Sequence, residues 1–269
     1  MHHLSAYIQL GSERLHYLQT GTGKRVLLAF HGYGEDAHIF SAIEPYLTAE
    51  FTLLSFDLPH HGSSQWGDSP VNKKQLVLLV DTVRKQYGVE KVSLLGYSLG
   101  GRVCLSIVES IPESIERTTL LASDGLVKNS YYSFFTGNPV GKKIFRSMLE
   151  KPAPYFKIMD WLHNRNLVHP SRYKFAMLSL GSPESRSHLL NVWPAMRLLV
   201  PAQARLKRAI KDHNIPVALF MGANDKIMPP RLAEQFKDGL PTVQLHIVER
   251  GHRVFDHENA AQIAKTLLA

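Results

Sequence analysis

The motif Gly-Tyr-Ser-Leu-Gly-Gly at 96–101 places Ser98 between an apolar run at 92–95 and an apolar-periodic segment at 102–110. A Gly-x-Ser-x-Gly sequence at a sharp strand-to-helix turn holds its serine in a strained backbone conformation with the hydroxyl exposed. An ordinary glycine-rich turn is the alternative interpretation. The strand before the motif and the helix after it favour the interpretation that Ser98 is an exposed nucleophile.

Two later residues are placed to activate that hydroxyl. A serine hydroxyl is a weak nucleophile at neutral pH, so it needs a neighbouring base, and the base needs an orienting partner. Asp225 follows a predicted strand at 215–221, and His252 follows one at 243–248. The order Ser, Asp, His along the chain is one of those in which such residues act together after a strand-to-helix serine turn. We therefore expect His252 to be the general base and Asp225 the carboxylate that orients it.

Asp124 is a second candidate for the acid, because it comes just after a predicted strand at 118–122. The surroundings of Asp225 fit the role better, so Asp124 is kept as the alternative. Asp225 as a turn residue and His252 as a surface histidine are the non-catalytic interpretations. Their joint placement after successive strands favours catalysis.

Donors for negative charge on a substrate oxygen are expected in two places. The helix that follows Ser98 offers the backbone N–H of Leu99 at its N-terminus. The sequence His-Gly-Tyr-Gly at 31–34 ends an apolar run at 26–30, and the N–H of Tyr33 is the expected second donor. A simple turn at the end of a strand is the alternative for this loop.

The histidine pairs at 2–3 and 60–61 raise the question of a metal site. Adjacent histidines point apart in most backbones, and no third ligand cluster with metal-binding spacing appears in the sequence. We therefore predict no metal and no cofactor.

The elements that position these residues alternate between strands and helices. Apolar runs typical of strands buried on both faces of a parallel sheet occur at 26–30, 51–56 and 92–95. Further strands are predicted at 118–122, 215–221 and 243–248. Helices are predicted at 36–49, 73–87, 102–110, 229–237 and 254–268. A β-hairpin is expected from 6–10 and 14–19. The pattern predicts an α/β fold with a doubly wound, mostly parallel sheet.

The alternation stops between residues 126 and 210, where prolines divide the chain into short helical pieces such as 140–149 and 172–180. We expect residues 1–125 and 211–269 to form one core, and 126–210 to be a helical lid inserted between the sixth and seventh strands. Aromatic residues of this segment are expected to pack its helices or to line an acyl pocket. They are Tyr131, Tyr132, Phe134, Phe135, Tyr155, Phe156 and Trp161.

Charge is distributed unevenly along the 269 residues. The formal net charge is +8. Residues 126–210 hold fourteen basic and three acidic side chains, a net charge of +11, whereas the rest holds 17 basic and 20 acidic side chains, a net charge of −3. A solvated basic surface is one explanation, and an anionic substrate or acidic carrier protein is the other. The segment has no nucleic-acid-binding signature, so we expect no nucleic-acid partner.

Composition and hydropathy indicate a globular protein. The chain is 44% hydrophobic and 20% charged, close to the average for soluble domains. No apolar run approaches the roughly 20 residues that span a bilayer, and the start of the chain lacks the pattern of a secretion signal. Together with the single cysteine, Cys104, these features predict a cytoplasmic protein without a membrane span.

These motifs resemble those of the α/β-hydrolase superfamily, in its lid-bearing branch, and the resemblance spans nearly the whole chain. A further motif, Asp-Leu-Pro-His-His-Gly-Ser-Ser at 57–64, is similar to the Asp-x-Pro-Gly-His-Gly-x-Ser turn of the family. It departs at His60, where the family usually has glycine, so the backbone is expected to differ there. In the family this turn is structural, and we interpret Asp57 and His61 in the same way.

The resemblance implies a serine hydrolase that cleaves a carboxylic ester or thioester through an acyl-enzyme, with a layout similar to that of pimeloyl-acyl-carrier-protein methyl ester esterases. A serine at 98 argues against relatives that use aspartate there, such as epoxide hydrolases and haloalkane dehalogenases. Lactonases, carbon–carbon bond hydrolases and cofactor-free perhydrolases share the same three residues and remain open. A non-catalytic ligand-binding protein on the same scaffold is the alternative from another class.

Overall fold

The computed structural model describes residues 3–269, apart from the side chains of Ser171, Arg172 and Phe175. Its strands are β1 (Leu4–Leu10), β2 (Glu13–Thr20), β3 (Arg25–Phe30), β4 (Phe51–Phe56), β5 (Val92–Tyr97), β6 (Ile115–Leu121), β7 (Val217–Gly222) and β8 (Val243–Val248). They form one sheet in the order β1-β2-β4-β3-β5-β6-β7-β8. β2 pairs antiparallel with β1 and with β4, and every other pair is parallel.

The helices are α1 (Lys73–Tyr87), α2 (Leu99–Ser110), α3 (Ser130–Gly137), α4 (Pro139–Glu150), α5 (Ala153–Asn164), α6 (Pro170–Gly181), α7 (Pro183–Ala195), α8 (Gln203–Asp212), α9 (Arg231–Lys237) and α10 (Ala260–Leu268). With helices flanking the sheet, the predicted doubly wound, mostly parallel α/β fold is confirmed. Within residues 3–269, no helix has both the length and the apolar character that crossing a membrane requires.

α1 has the bounds that its sequence predicts, because both of its ends carry strong capping signals. The Asn72 side chain accepts the backbone N–H of Gln75, and the Gln75 side chain accepts that of Asn72, which satisfies two N–H groups that lack helical partners. Gly88 ends the helix in the left-handed conformation, which glycine adopts without steric cost. One face of the helix is buried through Leu76, Leu79, Val80 and Val83.

Three predicted helices are shorter in the structure, and one of them, 229–237, loses only its first two residues, since α9 begins at Arg231. The segment 36–49 forms two 3₁₀ turns, Ala37–Ala42 and Glu44–Tyr46, because Pro45 lacks an N–H and disfavours helical geometry in the residue before it. The segment 254–268 is helical only in α10. Side chains of Asp256 and Asn259 accept backbone N–H groups upstream of α10, which stabilises a turn instead of helix.

The chain divides into two compact units, residues 129–197 and the remainder. The smaller unit is helical and holds α3 to α7. It is narrower than the predicted 126–210, because α8 packs within the larger unit through Leu206 and Ile210, both fully buried. Arg205 on α8 also pairs with the buried carboxylate of Glu109 on α2 (2.8 Å).

Within the larger unit, α2 lies very close to the end of β3. A Cβ atom on Gly100 would lie 1.9 Å from the carbonyl oxygen of Phe30, a separation that no side chain tolerates. Cys104, further along α2, is fully buried, and burial raises the pKa of its thiol. It is therefore a protonated packing residue.

This close approach predicts that Gly100→Ala lowers the free energy of unfolding by about 3 kcal/mol, because the helix must shift away from β3 to relieve the clash. Gly137→Ala is the matched control. That glycine ends α3 with no atom within 4 Å of an added Cβ, so the change should stay within about 1 kcal/mol of neutral. Urea denaturation followed by circular dichroism measures both; equal losses would show that the α2–β3 approach is not the constraint.

Candidate active site

Ser98 occupies the sharp turn between β5 and α2. Its φ is 49° and its ψ −112°, a sparsely populated positive-φ conformation that costs a non-glycine residue about 1–3 kcal/mol. Backbone hydrogen bonds hold it there. The N–H of Ser98 donates to the carbonyl of Leu121 (2.9 Å), and its own carbonyl accepts the N–H of Asp124 (2.9 Å). The end of β6 therefore fixes the turn that presents the serine hydroxyl.

The structure brings Ser98, His252 and Asp225 into one hydrogen-bonded chain. The hydroxyl Oγ of Ser98 lies 3.0 Å from Nε2 of His252, and Nδ1 of His252 lies 2.7 Å from Oδ2 of Asp225. A carboxylate only accepts hydrogen bonds, so Nδ1 carries the proton and Nε2 presents its lone pair to the serine. This is the tautomer that a general base requires.

The loops after β7 and β8 hold this chain of hydrogen bonds in place. Asp225 is 1% exposed, and its Oδ1 accepts the backbone N–H groups of Ile227 (2.8 Å) and Met228 (2.9 Å). An added Cβ on Gly222 would lie 2.1 Å from the carbonyl oxygen of Gly251. Because the two loops touch, the carboxylate and the imidazole have a fixed separation.

The two expected oxyanion donors belong to segments that adjoin the serine. Leu99 is the first residue of α2, where backbone N–H groups lack partners within the helix. Gly32 packs against the serine, since an added Cβ would lie 3.3 Å from Cβ of Ser98, and Tyr33 follows it in the loop. Burial raises the pKa of the Tyr33 phenol to about 12, so this side chain adds no negative charge at neutral pH.

Asp124, the alternative acid, is engaged elsewhere. Its carboxylate forms an ion pair with the guanidinium of Arg102, a buried residue on α2. Its second oxygen accepts the N–H of Gly125 (2.6 Å). Nδ1 of His252 donates to Asp225 and not to Asp124. Sequence reasoning missed the Arg102–Asp124 pair, because nothing in the sequence joins a helix residue to the end of a neighbouring strand.

The turn at 57–64 packs against the loop after β3. Asp57 accepts the N–H of Ala37 (2.8 Å) and that of Ser63 (2.8 Å), and it pairs with the ring of His16 (2.7 Å). His60, which replaces the usual glycine, adopts φ 63°. That is the left-handed region favoured by glycine, which histidine enters more often than most residues. The backbone thus takes a conformation that glycine would adopt freely. For histidine the same conformation brings the Cβ atom close to the backbone, which is unfavourable.

Two further contacts near His252 were not anticipated. The ring of Tyr97 lies 5.6 Å from that of His252 and edge-on to Phe255, and burial raises the pKa of the Tyr97 phenol to about 12. Arg253 pairs with Glu35 (3.0 Å), which joins the loop after β8 to the loop after β3. For the Tyr97 contact, the only signal in the sequence was the position of Tyr97 next to Ser98 in the motif.

No group of three or more His, Cys, Asp or Glu side chains within residues 3–269 is arranged to hold a metal ion. His3 instead contacts Glu44 (2.9 Å), and His2 lies outside the described residues. The adjacent histidines at 60–61 differ in exposure, since His61 is buried and His60 is half-buried.

Comparisons with known proteins identify the family of the chain. Residues 25–258 match the family described as the alpha/beta hydrolase fold. A pimeloyl-[acyl-carrier protein] methyl ester esterase of Neisseria meningitidis is 25% identical over 232 residues, covering 84% of each chain. An uncharacterised hydrolase of Bacillus subtilis is 24% identical over 237 residues, covering 86% of this chain and 85% of its own.

Solved structures share the fold. A hydrolase from Pseudomonas aeruginosa superposes with a TM-score of 0.68 at 21% identity, covering 98% of this chain and 97% of its own. A carboxylesterase of Bacillus subtilis superposes with a TM-score of 0.64 at 16% identity, covering 100% of this chain and 91% of its own. Since the family match extends from β3 to the segment before α10, the chain belongs to the α/β-hydrolase fold family.

Proposed function

We propose that the chain is a serine hydrolase that cleaves a carboxylic ester or thioester through an acyl-enzyme intermediate. The observation that carries the proposal is the chain of hydrogen bonds from Ser98 through His252 to Asp225, with distances of 3.0 and 2.7 Å. Esterases among the relatives support the choice of bond.

In the acylation step, Nε2 of His252 takes the proton of Ser98 while Oγ bonds to the substrate carbonyl carbon. The carbonyl oxygen becomes an oxyanion, which the N–H groups of Leu99 and Tyr33 stabilise. Collapse of this intermediate breaks the bond to the leaving group, which takes the proton from His252. An acyl group is then bound to Ser98.

Deacylation repeats the sequence with water. Nε2 of His252 takes a proton from the water, its oxygen bonds to the acyl carbon, and Ser98 leaves with the proton. Asp225 stabilises the imidazolium formed in each half-reaction, and its hydrogen bonds from Ile227 and Met228 keep the carboxylate aimed at Nδ1.

Lactone, carbon–carbon bond and peracid chemistry use the same groups, and esters are favoured by the relatives. A ligand-binding protein without turnover is the rival from another class.

We infer that the substrate is anionic or bound to an acidic carrier. The helical unit at 129–197 holds ten Lys or Arg against three acidic residues. An excess positive charge of this size raises the local concentration of anions and accelerates their association. The methyl ester esterase among the relatives is named for an acyl-carrier substrate, which is the class of compound this charge would attract.

The first prediction concerns the proposed catalytic residues. Ser98→Ala, Asp225→Asn and His252→Ala should each lower kcat on a p-nitrophenyl ester by about a thousandfold or more, because each interrupts proton transfer or its orientation. Their effects should be non-additive. Circular dichroism is the control for folding.

Asp124→Asn is the matched control for the acid. It leaves Arg102 as a buried charge with a weaker partner, so it should reduce stability, by up to about 3–5 kcal/mol, while the folded protein keeps kcat within about tenfold. Near-normal turnover by Asp225→Asn combined with loss of turnover by Asp124→Asn would reverse the assignment. Absence of turnover in the unaltered protein, with ester bound, would support the ligand-binding alternative.

A second prediction concerns charge. For an ester that carries a carboxylate, kcat/KM should fall steeply as ionic strength rises, since salt screens long-range attraction. A neutral ester of the same chain length should respond little. Stopped-flow or initial-rate measurements at several salt concentrations test this, and equal salt dependence for the two esters would contradict it.

The charge-reversal variant for this test should come from α4. Lys142 and Lys143 are exposed there, so Lys142→Glu and Lys143→Glu together should slow only the anionic ester. The cluster on α8 is unsuitable, because Arg205 pairs with Glu109 and Lys207 donates to the carbonyls of Gln235 and Asp238. Lys85→Glu with Lys91→Glu, exposed in the larger unit, is the control.

A further inference from the structure

The loop after β3 has to hold the N–H of Tyr33 in a fixed direction if that group is to act as an oxyanion donor. The loop lies beyond the sheet, so strand pairing does not hold it. Its own turn is closed by one hydrogen bond, in which the N–H of Glu35 donates to the carbonyl of Gly32 (3.3 Å). Side chains from outside the loop must supply the remaining constraint.

His61 supplies such a contact. It is 5% exposed, and its Nε2 lies 3.1 Å from the backbone N of Gly34. Nδ1 lies 2.9 Å from the carbonyl oxygen of Pro59. Because a carbonyl only accepts and an N–H only donates, Nδ1 carries the proton and Nε2 accepts. The neutral ring thus ties the peptide between Tyr33 and Gly34 to the turn after β4.

The same imidazole also contacts Tyr33 itself. The two rings meet edge-on with centroids 6.1 Å apart, and the ring of His31 lies 4.9 Å away on another side. The turn after β4 makes further bonds to the segment, since Nε2 of His31 accepts the N–H of Leu58 (2.9 Å) and Asp57 accepts that of Ala37. Of these contacts, the one from His61 is made to the peptide that directly follows Tyr33.

We propose that His61 is a positioning residue for the oxyanion donor, acting through the hydrogen bond that its Nε2 accepts from Gly34. This bond fixes the plane of the peptide after Tyr33. It thereby restricts the backbone rotation of Tyr33, which limits the directions that the Tyr33 N–H can take. The inference rests on the proposed function, and it goes beyond the structural role that the motif at 57–64 implies. Loss of an oxyanion-hole donor costs about 10²–10³ in kcat, so a misdirected donor should cost part of that.

Two amide variants separate this role from simple packing. In His61→Gln, the side-chain oxygen reaches the place of Nε2 and can still accept the N–H of Gly34. In His61→Asn, the shorter amide can replace Nδ1 and donate to Pro59, but it does not reach Gly34. Both lose the ring and similar volume, so both should lower the unfolding midpoint to a similar extent. Only Asn removes the bond that positions Tyr33.

We expect His61→Asn to lower kcat on a p-nitrophenyl ester about thirtyfold with KM changed less than threefold, because the effect falls on the transition state. His61→Gln should keep kcat within about fivefold. A trifluoromethyl ketone reports on the same donors, since Oγ of Ser98 adds to its carbonyl carbon, the proton passes to His252 and the ketone oxygen becomes an oxyanion. Its inhibition constant should rise in parallel with the fall in kcat.

Equal kcat and equal inhibition constants for the Asn and Gln variants would overturn the proposal and leave His61 a packing residue. Should either variant fail to fold, the ketone is measured with His61→Phe, which keeps a ring and removes the acceptor, and unchanged inhibition there has the same meaning. The proposed hydrolase function is tested separately, because its failure would appear as unaltered turnover in Ser98→Ala.

Discussion

The conformation of Ser98 is the constraint on which the site depends. A serine with positive φ is unfavourable by about 1–3 kcal/mol, so the neighbouring strands and helix must enforce this conformation. They do so through the hydrogen bonds from Ser98 to Leu121 and from Asp124 to Ser98, and through the close approach of Gly100 to Phe30. Asp124, whose N–H donates to the Ser98 carbonyl, also forms the ion pair with Arg102. A buried pair is costly to break, which makes it a support for the strained backbone.

The order of strands brings the other groups to the same edge of the sheet. β3, β5, β6, β7 and β8 are neighbours and run parallel, so their carboxyl ends meet at one edge, where ligands bind in such sheets. Tyr33 follows β3, Ser98 follows β5, Asp225 follows β7 and His252 follows β8. Contacts between loops then set the distances, as in the approach of Gly222 to Gly251 and the hydrogen bond from Gly34 to His61.

Much of the fold was predictable, because central strands such as β3 and β5 are apolar runs and α1 carries both a capping box and a terminal glycine. Elements governed by single residues were harder. Pro45 breaks a pattern whose spacing is otherwise helical, and Asp256 and Asn259 form a turn where apolar periodicity predicts helix. Such local hydrogen bonds outweigh the periodic signal of a short segment.

The candidate site residues follow strands that the sequence predicts. The side-chain contacts that hold these residues in place could not be derived from the sequence. Strand ends are visible as the limits of apolar runs, so Ser98, Asp225 and His252 were found one loop at a time. The pairing of Arg102 with Asp124 depends on the register of α2 against β6, and the contact between His61 and Gly34 depends on how two loops pack. Neither relation leaves a pattern in a single sequence.

The central claim is that His252 and Asp225 make Ser98 nucleophilic. Its most direct test is labelling with a fluorophosphonate, in which Oγ of Ser98 bonds to phosphorus, fluoride leaves and the proton passes to His252. Peptide mass spectrometry should find one modification, on the peptide that contains Ser98, and labelling should be lost in His252→Ala. Modification of another residue, or equal labelling without His252, would contradict the account.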